Sequence, residues 1–271
     1  MHQSRKITFS VVSLIVLVLN GLLIMAVAGP TPNVAQAATA TAQAEEWTYE
    51  GDTGPQHWGD LDPKFAVCAQ GRAQSPIDIA APQGVNLADV AINYQPTALN
   101  VVNTGETIKI NYDAGSSIVY NEITYNLVQF HFHHPSEHTI KGKAFDLELH
   151  LVHQNAAGNL AVIGVLITKG KTDNPAFAPI FDNLPAQAGS TAVAVKLNAA
   201  DLLPKDRRYY TYLGSLTTPP CTQGVRWLLL TTPIELSEKQ IQTFSTIFHL
   251  NARPVQALNN RDVLQDTLNG K

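Results

Sequence analysis

The stretch Val128-Gln-Phe-His-Phe-His133 decides the fold. Apolar residues take its even positions and polar residues its odd ones, which is the period of a half-buried strand and not of a helix. Phe145-Asp-Leu-Glu-Leu-His-Leu151 repeats the pattern with reversed parity. Leu160 to Thr168, around Gly164, and Val225 to Thr231 are continuous apolar runs, which predicts more deeply buried strands. Turn residues bound these segments, as in Asn155-Ala-Ala-Gly158 and Thr218-Pro-Pro220. Helical signals are few. Ser237-Glu-Lys-Gln240 predicts a capping box, and Ile241, Phe244, Ile247 and Phe248 follow it at helical spacing. Asn174 to Leu184 predicts a second short helix. The expected fold class is mainly β (α+β), a large central, twisted, mostly antiparallel sheet with a few short peripheral helices.

Outward from these strands, the chain begins with His2, Arg5 and Lys6, then an apolar run from Ile7 to Ala28. Small-residue sites follow at Ala26-Val-Ala28, Ala35-Gln-Ala37 and Ala38-Thr-Ala40. This is the order of a secretory signal, with a transmembrane anchor as the alternative. Residues 1–28 are read as the signal, with cleavage as late as 40. Residues 29–44 are read as a disordered linker or processing region, and 45–271 as one folded domain. The expected location is periplasmic or secreted, with no stable membrane insertion after cleavage. A net charge of −4 with 15% charged residues gives no reason to expect nucleic acid as a partner. Only two cysteines exist, Cys68 and Cys221. Export favours a disulfide, against two buried thiols.

Five of nine histidines lie between His131 and His150. His131 and His133 are two apart on a strand and share a face. His150 lies on the polar face of the next strand. If the strands pair, three imidazoles converge and leave an open fourth position, the ligand set of a catalytic zinc. Gln129 and Glu148 each stand two residues before a histidine, where they can accept its second ring proton. A single His-x-His strand is often only a solvated polar face, and the second strand with its matching polar neighbours is what favours the metal. His134 and His138 have the wrong parity or lie past Pro135, and are read as structural or exposed; His153 is ambiguous.

These residues carry a resemblance. Gln129-Phe-His-Phe-His133, Ser136-Glu-His-Thr139 and Glu148-Leu-His-Leu-Val-His153 resemble the zinc-site segment of the alpha carbonic anhydrases. Four further segments agree in order: Gln74-Ser-Pro-Ile-Asp-Ile79, Gly214-Ser-Leu-Thr-Thr-Pro-Pro220, Val225-Arg-Trp227, and Asn251-Ala-Arg-Pro254 with Asn260-Arg261. Carbonic anhydrase is itself the established example of a three-histidine catalytic zinc, so ligand count and resemblance are one argument. The resemblance implies hydration of carbon dioxide to bicarbonate and a proton by zinc-bound hydroxide, with weak esterase activity on the side. It implies Zn2+ on His131, His133 and His150, oriented by Gln129, the Asn251 carbonyl and Glu148. It gives Thr217 and Glu137 the task of aiming the hydroxide. Val152, Val162, Leu216, Val225 and Trp227 match the carbon dioxide pocket, and Thr218 the bicarbonate position. Tyr49 and Tyr212 match residues of the active-site water network. Cys68 and Cys221 match a disulfide of bacterial-type members, and a homodimer is compatible with the family.

Two positions depart from the pattern. Glu106, in Asn103-Thr-Gly-Glu106, stands where the family often has a proton-shuttling histidine. A solvated glutamate titrates near 4.3 against about 6.5 for histidine, so turnover limited by external buffer is expected. Lys109 replaces a common Asn or Gln, a change that bears on anion binding at the rim. A metal-free binding module on the same fold is the competing function, and the three histidines with Glu137 and Thr217 weigh against it. No Ser-His-Asp or His-Glu-x-x-His pattern marks a dedicated hydrolase.

Overall fold

Leu147, Leu149 and Leu151 are good helix formers, but helix propensity is worth only tenths of a kcal/mol per residue. Burying each leucine against a sheet is worth about 1.5–3 kcal/mol. The strand wins, and all three are fully buried. A computed structural model of the chain describes residues 46–267. The signal and linker read at 1–44 lie outside the described residues. No helix among the described residues is long and apolar enough to cross a membrane.

The strands are, in chain order, β1 (Asp78–Ile79), β2 (Gln83–Val85), β3 (Ala91–Asn93), β4 (Thr97–Asn103), β5 (Ile108–Asn111), β6 (Ser117–Tyr120), β7 (Ile123–His133) and β8 (Thr139–Ile140). They continue as β9 (Leu147–Gln154), β10 (Leu160–Gly170), β11 (Gly189–Leu197), β12 (Tyr209–Ser215), β13 (Gln223–Leu230), β14 (Ile234–Ser237) and β15 (Leu264–Asp266). The helices are α1 (Trp58–Leu61), α2 (Val67–Gln70), α3 (Ala178–Phe181) and α4 (Glu238–Ile247). One large sheet runs in the order β11-β4-β5-β7-β9-β10-β13-β12-β15-β2. Most of its pairs are antiparallel. The exceptions are β10 with β13 and β14, and β15 with β2. The expected mainly β class, with few and short helices, is what the chain adopts.

The two faces of the sheet have different jobs. Phe130, Phe132, the three leucines of β9, Ile163, Val165 and Leu228 pack with Phe177, Phe181 and Phe244 near the helices to make the main core. Val162, Leu166, Val225, Trp227 and Leu229 form a second apolar cluster on the opposite face. The capping box forms as read: Ser237 Oγ accepts from Gln240 N, and the Gln240 side chain accepts from Ser237 N. The helix read across 174–184 is shorter, reduced to the four residues of α3. The Cys68–Cys221 disulfide is present, with its cysteines 153 positions apart. In the chain-entropy model a loop of that length stabilises by roughly 5 kcal/mol.

One detail of the opening stretch is corrected. Parity places Val128 on the apolar face, yet it is 45% exposed. A bulge between Leu127 and Gln129 shifts the register of β7 against β9. Tyr125 and Leu127 therefore reach the same core as Phe130 and Phe132, although their parity differs. The bulge sets the face on which Gln129, His131 and His133 stand.

His153 points the other way from His150, into the main-core side. It is fully buried, and its Nε2 lies 2.7 Å from the Tyr94 hydroxyl. Burial pulls its pKa down to about 4, with Tyr94 as the titratable neighbour against it. The unfolded imidazole takes up its proton near 6.5. Between those values the unfolded chain binds the extra proton, so stability falls as pH drops from about 6.5 to about 4. The loss from this residue is on the order of 3 kcal/mol. Urea denaturation across that window should show the loss, and His153→Gln should reduce it by about that amount, leaving the part that the buried His131, His133 and His150 contribute.

Candidate metal centre

Three adjacent cross-strand rows build the site. In the first, His131 of β7 lies opposite His150 of β9, which lies opposite Gly164 of β10. In the second, His133 lies opposite Glu148, which lies opposite Leu166. In the third, Gln129, Val152, Val162, Trp227 and Tyr212 follow one another across β7, β9, β10, β13 and β12. Directly opposed residues share a face, so the three histidines rise together. Gly164 is required there. A Cβ at that position would come within 2.6 Å of Leu229 Cδ1 and 3.2 Å of Glu148 Oε1.

The ring centroids of His131, His133 and His150 are 4.6–5.3 Å apart. One nitrogen of each ring is already engaged. His131 Nδ1 donates to Gln129 Oε1 at 2.8 Å, and His133 Nδ1 to the Asn251 carbonyl at 2.7 Å. His150 Nε2 donates to Glu148 Oε1 at 2.8 Å. All three partners are acceptors, which places the ring proton on the engaged nitrogen. The remaining atoms, His131 Nε2, His133 Nε2 and His150 Nδ1, are left as lone pairs. Burial and neighbouring imidazoles hold His131 well below its ordinary pKa, and burial brings His133 to about 4 and lowers His150 as well. The rings are neutral at pH 7, the state that ligates metal.

The donor set fits a cation. One nitrogen from each histidine lies within 4.8 Å of the others. His133 Nε2 is buried without a hydrogen-bond partner, and so is Glu137 Oε2. That oxygen is 3.5 Å from His133 Nε2 and 3.8 Å from His150 Nδ1. Lone pairs and a carboxylate oxygen facing one small volume repel one another until a cation sits between them. Glu137 Oε1 accepts from Arg253 N at 2.9 Å. Burial pushes this carboxyl up to about 7, and Thr217 is close enough to act against that shift. A cation on the imidazoles would pull it down again.

Glu148 is the hub. It is fully buried and accepts four hydrogen bonds, from His150 Nε2, His138 Nδ1 and the amides of Glu137 and His138. Burial works against its charge, but His138, His150 and their hydrogen bonds hold it well below the usual carboxylate range. Desolvating a carboxylate costs several kcal/mol, and four charge-assisted bonds at about 1.5–3 kcal/mol each offset it. The supporting chain continues outward. His138 Nε2 is 2.7 Å from the Tyr212 hydroxyl, which is 2.7 Å from Ser75 Oγ, which accepts from Ser215 N.

The other expected residues fall as follows. Val162, Val225 and Trp227, with the partly buried Val152 and Leu216, form one apolar wall, and the Trp227 ring is 4.8 Å from that of His150. Thr217 is buried, with Thr218 half-buried beside it. Their loop is closed by Cys221 N donating to the Thr218 carbonyl and by the disulfide. Asn251 also donates to the carbonyls of Glu106 and Phe132, and its Oδ1 accepts from His134 N. Glu106 is half-buried in the turn before β5 and lines a cleft with Trp47, Tyr49 and His249. Tyr212 is buried, its hydroxyl taken by His138 and Ser75, so it braces the hub instead of facing an open cavity. His138 is structural, as read. No local pattern marks its link to Glu148, nor the separate contacts of Arg253, whose guanidinium donates to Gln74 Oε1 and to the carbonyls of Ser75 and Cys68. Both residues stand inside segments that carried the resemblance.

Fold and donor set together define a mainly β protein with a candidate three-histidine metal site. Residues 53–267 match the family model described as eukaryotic-type carbonic anhydrase. The chain belongs to this family, the alpha carbonic anhydrases. It is 44% identical to a carbonic anhydrase of Nostoc sp. over 254 residues, covering 90% of this chain and 95% of that one. A solved alpha carbonic anhydrase of Thermovibrio ammonificans, in complex with the inhibitor sulfanilamide, superposes with a TM-score of 0.79 at 42% identity, over 81% of this chain and 98% of that one. Dioscorin, solved in complex with ascorbate, superposes with a TM-score of 0.76 at 30% identity, over 82% of this chain and 98% of that one.

The hub has a measurable consequence. His138→Ala removes one donor from the buried Glu148 and should cost about 1–3 kcal/mol in urea denaturation. It should also weaken zinc binding about 10–100-fold in competition with a chromophoric chelator.

Proposed function

We propose that this protein catalyses the zinc-dependent, reversible hydration of carbon dioxide to bicarbonate and a proton. The observation that carries the reading is the convergence of three proton-free imidazole nitrogens beside an apolar wall and a buried carboxylate. His131 Nε2, His133 Nε2 and His150 Nδ1 would hold the zinc. When bound, zinc supplies the Lewis acidity that makes water a nucleophile near neutral pH.

The chain's own residues do the rest. Glu137, held at Oε1 by the Arg253 amide, accepts a hydrogen bond from the Thr217 hydroxyl. The Thr217 oxygen is then fixed as an acceptor, which orients the attacking oxygen so that a lone pair faces the substrate. Carbon dioxide has no charge and little hydrogen-bonding capacity, so Val152, Val162, Leu216, Val225 and Trp227 suit it. Thr218 is the hydroxyl beside the product. The released proton leaves past Glu106, the acidic side chain of the rim cleft, and external buffer carries it away. We read the chain as exported to the periplasm or beyond, a reading the disulfide supports; a homodimer is compatible with it.

Stopped-flow carbon dioxide hydration tests the proposal. Activity should vanish when metal is stripped and return with zinc. A folded, zinc-loaded protein with no activity in concentrated buffer would favour a binding module, the direction in which the dioscorin likeness points. In weak buffer Glu106→His should raise kcat severalfold, while kcat/KM for carbon dioxide stays within about twofold. Equal kcat for both proteins at every buffer concentration would remove Glu106 from the proton route.

A further inference from the structure

Lys109 lies directly opposite His131, on β5 and β7. Side chains so paired share a face, with Cβ atoms about 4.5–5.5 Å apart. Across the other side of β5, Lys109 is opposite Val102. Two residues to either side on its own strand segment stand Thr107 and Asn111. None of these neighbours is acidic. Among the described residues, the lysine and arginine ion pairs are Lys169 with Glu238 and Arg208 with Asp206, and Lys109 takes part in none. Of the site's carboxylates, Glu148 is committed to its four donors and Glu137 Oε1 to Arg253 N, while Glu137 Oε2 faces the imidazoles of His133 and His150. Glu106, in the turn before β5, makes no ion pair with Lys109.

We propose that Lys109 sets the charge preference of the metal centre, strengthening the hold on small anions, the bicarbonate product among them, while weakening the hold on the metal cation. The anion half rests on the reading of the site as a bicarbonate-handling metal centre. The cation half rests only on the three-histidine donor set. One uncompensated positive charge must act on the two ligands with opposite signs. For a half-buried lysine on the strand beside His131, the effect corresponds to a factor of roughly three to thirty on a divalent cation and roughly three to ten on a monovalent anion. A residue that merely supported the strand would move both constants the same way.

The test compares wild type, Lys109→Gln and Lys109→Arg. Zinc affinity is read by competition with a chromophoric chelator, and thiocyanate affinity by visible absorption of the cobalt-loaded protein. Lys109→Gln should bind zinc roughly three- to thirtyfold tighter and thiocyanate roughly three- to tenfold more weakly. Lys109→Arg should stay near wild type in both. The differences should shrink as ionic strength rises from about 0.01 M to about 1 M, where the Debye length falls from about 30 Å to about 3 Å. Constants that move in the same direction, that do not move, or that move equally in Lys109→Arg overturn the proposal. Carbon dioxide hydration by wild type is measured alongside. Its absence would sink the hydratase reading while the two binding constants still decide the role of Lys109, and a wild type that binds neither metal would overturn both.

Discussion

A fully buried carboxylate has to be satisfied from every side, and Glu148 is that carboxylate. Its four donors come from two places in the chain: the His150 ring two residues on, and the adjacent pair Glu137 and His138, which gives two consecutive amides and the His138 ring. Holding His138 requires Tyr212, and holding Tyr212 requires Ser75. The same pair of amides fixes the backbone that carries the Glu137 side chain. A group placed to orient one imidazole therefore also positions the second acid of the site. Loss of any donor leaves part of a charge unpaired in the interior, which is far more costly than loss of a surface contact.

The sheet turns this local demand into a site. Antiparallel pairing places His131 opposite His150 and His133 opposite Glu148, so ligand and supporter occupy neighbouring rows. The row on the other side carries Val152, Val162 and Trp227. Polar donors and apolar wall thus arise from one alternation, read along successive strands. Gly164 completes the arrangement by omission, since a side chain there would meet Leu229 and crowd Glu148. The apolar content of the opposite face, with Phe130, Phe132 and the leucines of β9, keeps these strands in register. The long closed loop of the Cys68–Cys221 disulfide ties the segment bearing Thr217 to the N-terminal part of the domain.

Parity was enough to sort His131, His133 and His150 onto polar faces, because side-chain direction on a strand depends only on counting. The capping box at Ser237 was legible for a similar reason: both partners lie within four residues. The bulge at Val128 was not legible. It is decided by how β7 meets β9, and nothing in the local sequence marks it. His138 looked unremarkable because its partners are 10 and 74 positions away. Arg253 was hidden in the same way, joining residues as much as 185 positions distant. The resemblance supplied roles for Thr217 and Glu137 that residue patterns alone would have assigned to a turn and a loop.

What the sequence determined by itself was therefore the class of fold, the facing of its strands and the three candidate ligands, all of which follow from periods of two and from local caps. Tertiary structure alone decided which nitrogen of each histidine is free, since that depends on acceptors at Gln129, Glu148 and the distant Asn251 carbonyl. It also decided that Lys109 stands beside His131 without a counter-charge, because cross-strand opposition is fixed by register between segments and not by the order of residues within them.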